Sequence, residues 1–82
     1  MVSAFNFNNM KKVEIFKTHI QHPKQAEKIC MKLSAAFPGS KINFDLDDCD
    51  KILRIESSHI NVEAVLSVMK NLRFYCTLIP DN

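Results

Sequence analysis

The chain has 82 residues, enough for one small domain that buries about 60% of the surface its unfolded form exposes. Apolar residues make up 46% and charged residues 24%, which excludes intrinsic disorder, and the net charge of +2 is too small and too dispersed to point to nucleic acid. No run of about 18 apolar residues is present, so no membrane span is expected.

Met1 to Met10 contain three asparagines and no charge, and they lack the basic start and apolar core of an export signal. Residues 1–10 read as a flexible extension before a domain at 11–82, and the chain reads as cytoplasmic. Cys30, Cys49 and Cys76 fit that reading, since they are odd in number and match no Cys-x-x-Cys spacing. Cys30 is read as a small apolar residue.

Residues 12–20 are rich in β-branched and aromatic types and predict a strand. Val13 and Ile15 share one face; Glu14, Phe16 and Thr18 share the other. Pro23 suits the first turn of a helix, where its missing N–H costs nothing. Ala26, Ile29, Cys30, Leu33 and Phe37 then form one stripe at the helical period, and Pro38-Gly39 ends it. Lys41 to Leu46 alternates strictly, with Ile42, Phe44 and Leu46 inward. Asp47 to Asp50 make a turn. Lys51 to Glu56 return as a strand with Leu53 and Ile55 inward. Asn61 is a favoured N-cap, followed by a second stripe of Val62, Val65, Leu66, Met69 and Leu72. Cys76 to Ile79 predict a short last strand before Pro80. Strand, helix, strand, strand, helix, strand is most economically an α+β sandwich: a ferredoxin-like βαββαβ fold, with four antiparallel strands and both helices on one face.

This order and apolar pattern, over about residues 11–79, resemble the heavy-metal-associated (HMA) domain family of copper chaperones and metal-ATPase modules. That family carries M-x-C-x-x-C between its first strand and first helix, where two thiolates hold a soft cation such as Cu(I). Aligning Ala26, Ile29 and Leu33 with the family's helix places Ile20 at the Met, His22 at the first Cys and Gln25 at the second. The resemblance therefore implies the fold together with a degenerate metal site.

Three connections of this fold meet at one end. They bring His19 and His22, Asp47-Asp48-Cys49-Asp50, and Arg73-Phe74-Tyr75 toward each other, with His59 at the opposite end. His22, Cys49 and Asp48 are the candidate ligands for Zn(II) or a similar transition-metal ion. The alternative is a solvated acidic turn with no cofactor, because Asp suits turns. Phe16 and Ile52 are expected on the uncovered sheet face beside Thr18, Asn43 and Arg54. Phe16, Ile52 and Arg54 are accordingly the candidate contacts for a protein partner or a homodimer.

Enzymatic motifs are missing: there is no nucleophile elbow, no phosphate-binding glycine loop, and no EF-hand glycine and glutamate at the Asp cluster. Nucleic-acid binding by the open sheet would need stacking aromatics among basic residues, and only Phe16 with Lys17 and Arg54 is on offer. The expected function is thus a non-enzymatic, HMA-like interaction module. The alternative is a metal-binding, chaperone-like protein using a non-standard site near His22 and Cys49.

Overall fold

The computed structural model describes residues 12–80. The extension expected at residues 1–10 lies outside the described residues. The element order is β1 (Lys12–Thr18), α1 (Pro23–Ala36), β2 (Lys41–Asp45), β3 (Ile52–Ser57), α2 (Val62–Asn71) and β4 (Cys76–Ile79). The strands form one antiparallel sheet in the order β2-β3-β1-β4, the ferredoxin-like topology expected from the sequence.

The register decides which side chains share a face, because directly paired residues of antiparallel strands point the same way. Phe16 pairs with Leu53 on one side and Leu78 on the other, and Leu53 pairs onward with Phe44. This row, with Ile42 and Ile55, is the helix-covered face. Ile29 and Leu33 of α1 and Val65 and Met69 of α2 are buried in the same cluster as Phe16, Leu53 and Ile55. Both helices therefore lie on one face of the sheet.

The expectation for Phe16 is corrected by this register. Phe16 is 0% exposed and sits at the centre of the core, not on the open face. Val13, Ile15 and Lys17 are the β1 residues on the helix-free side, in register with Glu56, Arg54 and Ile52. The physical reason lies in volume and hydrogen bonding. Phe16 fills more core space than Ile15, and its face also carries Thr18, which has a structural task there. Thr18 is 2% exposed; its hydroxyl donates to the Lys51 carbonyl at 2.6 Å and accepts from the Ile20 N–H at 3.2 Å. Its own N–H reaches the carbonyls of Asp50 and Lys51, each at 3.2 Å. One residue thus ties the end of β1 to the β2–β3 hairpin. Arg54 is exposed on the helix-free side as expected, whereas Ile52, on the same side by register, is only 8% exposed and so is not the free contact expected of it.

Thr18→Val keeps the shape but leaves the Ile20 N–H without its partner in a dry site. The expected loss is roughly 1–3 kcal/mol, read as a lower urea midpoint at an unchanged slope.

The helix ends follow local chemistry. Pro23 opens α1 after an extended His22, with no side-chain cap. Beyond α1, Ser40 N–H bonds the Phe37 carbonyl at 3.2 Å across Pro38-Gly39, and Gly39 has φ +87°, the Pro-Gly order of a type II turn. Asn61 caps α2 by accepting from Ala64 N–H at 3.1 Å, with Glu63 in the first turn. At the other end of α2, Arg73 takes φ +68° while Phe74 N–H reaches back to the Met69 carbonyl at 3.0 Å. That is a Schellman-type stop with an arginine where glycine is usual.

Candidate functional site

The three connections do converge. The Thr18 hydrogen bonds join the β1–α1 connection to the hairpin, and Lys17 Nζ lies 3.6 Å from Asp50 Oδ1. His19 meets Tyr75 edge to face, with ring centroids 4.8 Å apart, which joins the same connection to the α2–β4 connection. His59 lies elsewhere, beside Phe37, Ile60 and Asn61.

The hairpin tip gathers Asp48, Cys49 and Asp50, whose ligand atoms lie within 4.8 Å of one another. His22 is not in this group. It caps α1 with its backbone, its carbonyl accepting from Gln25 N–H at 3.0 Å and Ala26 N–H at 3.1 Å. The tip is shaped by its own carboxylates. Asp48 Oδ1 accepts from Asp50 N–H at 2.8 Å and Asp45 Oδ1 from Asp47 N–H at 3.2 Å, both turn-forming contacts. Lys51, at φ +49°, adds its Nζ to the Leu46 carbonyl at 2.9 Å. Cys49 is exposed. At the α1 N-terminus, one imidazole and one neutral amide stand where the resemblance aligns two thiols. His22 and Gln25 do not make the two-sulfur site that Cu(I) requires.

Of the other two cysteines, Cys76 packs against the core and Cys30 is half-buried, its Sγ 4.0 Å from the Ile42 carbonyl. Burial raises the Cys30 thiol and pushes the Cys76 thiol up to about 12. The unfolded chain ionises such a thiol near 9.0, so the contribution of Cys76 to folding is intact below 9.0 and is lost as pH rises toward about 12. The thermal midpoint is therefore expected to fall across that alkaline window. Cys76→Ala should make the fall shallower.

The helix-free face carries a different feature. Its rows read Asp45–Ile52–Lys17–Thr77, Asn43–Arg54–Ile15–Ile79 and Lys41–Glu56–Val13 across the sheet. Ile15 and Ile79 are directly paired and half-buried, and Val13 is 46% exposed. Pro80 adjoins them in a shallow hollow of about 240 Å³. Ile52, also on this face, is only 8% exposed, between Lys17 and Asp45 in register. The apolar centre is aliphatic and is ringed by charges of both signs. Sequence reasoning missed Val13 and Ile15 because it assigned the wrong face of β1, and Ile79 because it assigned no face to β4. The pairing of two isoleucines on neighbouring strands was the signal that could have found them.

Among the described residues no helix is long and apolar enough to cross a membrane. No protein-family model matches the chain, and no curated protein or solved structure matches it.

Proposed function

We propose that this chain is a small, non-enzymatic binding module, an HMA-like domain with a degenerate metal site, and that it docks a protein partner on the helix-free face of its sheet. The observation that carries the reading is the aliphatic cluster of Ile15, Ile79 and Val13 on a face that no helix among the described residues covers. A sheet face left to water normally alternates to polar residues. Here two adjacent strands, β1 and β4, both keep isoleucine on that face. An aliphatic centre with a mixed-charge rim is the anatomy of a protein–protein contact. Among the described residues it lacks the aromatic stacking groups that a nucleic acid would need. The HMA-like assignment is supported by the strand order and by the aligned apolar positions Ile20, Ala26, Ile29 and Leu33, all buried.

The test is the double substitution Ile15→Lys, Ile79→Lys. Neither residue is part of the core cluster of fully buried side chains, so the fold should survive, with a thermal midpoint within about 5 °C of the parent. In extracts of the producing cell at high salt, where exposed charge pairs are screened but apolar burial persists, the parent chain should elute in a complex and the variant as a free monomer. Identical elution of the two would count against the reading.

A second reading rests on the Asp48, Cys49 and Asp50 group at the hairpin tip. One thiolate and two carboxylates suit a borderline cation such as Zn(II) better than Cu(I). Zn(II) titration of the parent and of Cys49→Ser decides it: one equivalent bound by the parent alone supports a tip site, and equal binding removes it.

A further inference from the structure

Among the described residues the sheet has two unpaired edges, β2 and β4. Beside each, a groove opens against the neighbouring helix. The β2 groove, about 510 Å³, has Ala26 and Phe44 in its wall and is charged by Lys24, Glu27, Asp45 and Asp47, one cation against three carboxylates for a net of −2. The β4 groove, about 370 Å³, is lined by Leu66, Phe74 and Tyr75 and charged by Lys70 and Arg73, a net of +2. The linings of the two grooves are thus of opposite sign, with Lys51 Nζ, 2.9 Å from the Leu46 carbonyl, beside the acidic one.

We propose that copies of this chain associate edge to edge, the β4 edge of one copy pairing with the β2 edge of the next to continue the sheet. Strand direction permits it. β2 is antiparallel to β3, β3 to β1, and β1 to β4, so β2 and β4 run in opposite directions. A copy displaced sideways in the same orientation therefore presents an antiparallel pair, and free backbone groups on both edges find partners. Length matches as well, at five residues in β2 and four in β4.

The charges also fall at one level. The acidic groove sits at the end of β2, around Asp45 and Asp47, and the basic groove at the start of β4, around Arg73 and Phe74. Both lie at the end of the domain where the hairpin and the α2–β4 connection meet the β1–α1 connection. Sideways displacement sets one against the other. Arg73 holds its charge there from a left-handed backbone that glycine would adopt at lower cost. Such a contact is heterologous, so it produces a series of oligomers and not a closed pair. This surface is distinct from the aliphatic face of the proposed function.

Sedimentation velocity of the full chain tests the proposal. At about 0.01 M salt, with a Debye length of about 30 Å, the sedimentation coefficient should climb with concentration; at about 1 M, with a length of about 3 Å, it should return to the monomer value. Glu27→Lys, Asp47→Lys and, separately, Lys70→Glu, Arg73→Glu should each be monomeric at low salt, and an equimolar mixture of the two should associate again. Ile15→Lys, Ile79→Lys should associate as the parent does. Amide exchange on the parent gives an independent reading, with protection of β2 and β4 backbone N–H groups rising at high concentration. A chain that stays monomeric at low salt to high micromolar concentration overturns the proposal. So does association that survives both charge-reversed pairs, or that is lost in the open-face variant.

Discussion

Phe16→Ala is expected to cost about 3–5 kcal/mol, the range for deleting a buried phenyl ring and leaving a cavity. Total stability of a domain this small lies toward the low end of about 5–15 kcal/mol, so the variant should be largely unfolded at physiological temperature. The structural basis is that Phe16 is fully enclosed, flanked by Leu53 and Leu78 in the sheet and grouped with Ile29, Leu33 and Met69 of the helices. Ile15→Ala, one residue away on the other face, should cost far less, because that side chain has no helix over it. Urea unfolding of the two variants measures the contrast. Equal midpoints, or the reverse order, would mean that β1 presents its other face to the helices.

The second large effect is a gain. His22→Cys, Gln25→Cys should create a Cu(I) site where the parent carries an imidazole and a neutral amide. His22 is the residue before α1 and Gln25 lies in its first turn, with Gln25 N–H bonded to the His22 carbonyl at 3.0 Å. Side chains at these two positions meet over the helix N-terminus, as the N-cap and N3 residues of a capping box do. The helix dipole favours thiolates there, and two soft sulfurs select Cu(I). Ile20, 1% exposed, belongs to the core cluster just before this helix. In chelator competition the double variant should take one equivalent of Cu(I) and exceed the parent by more than roughly 100-fold, the change that outer-sphere substitutions alone produce in metal sites. A parent chain that competes equally well would overturn the claim that its site is degenerate.

Much of the architecture was legible because single elements carried unambiguous patterns. Ala26, Ile29 and Leu33 repeat at the helical period and are all buried; Ile42 and Phe44 alternate cleanly with Lys41 and Asn43; Asn61 is the cap its position suggests. β1 was different. Both of its faces carry apolar residues, Val13 and Ile15 against Phe16, so alternation could not say which side turns to the helices. That decision is tertiary: it follows from the pairing of Phe16 with Leu53 and from the demand of Lys51 O and Ile20 N–H for the Thr18 hydroxyl. The same inversion hid the aliphatic face. The convergence of the three connections was readable from topology, but the reach of individual side chains was not, and His22 stays outside the Asp48–Cys49–Asp50 group. The paired edge grooves were illegible because each joins residues from elements far apart in the chain.

The central claim is that the helix-free face is the working surface. Site-specific photo-crosslinking within the producing cell addresses it most directly. One photoreactive residue replaces Val13, 46% exposed on that face, and a second, in a separate chain, replaces Met31, 69% exposed on the outer side of α1. The account predicts a discrete higher-mass adduct from position 13, lost when Ile79→Lys is added, and none from position 31. Adducts from position 31 alone, or from neither position, would contradict it.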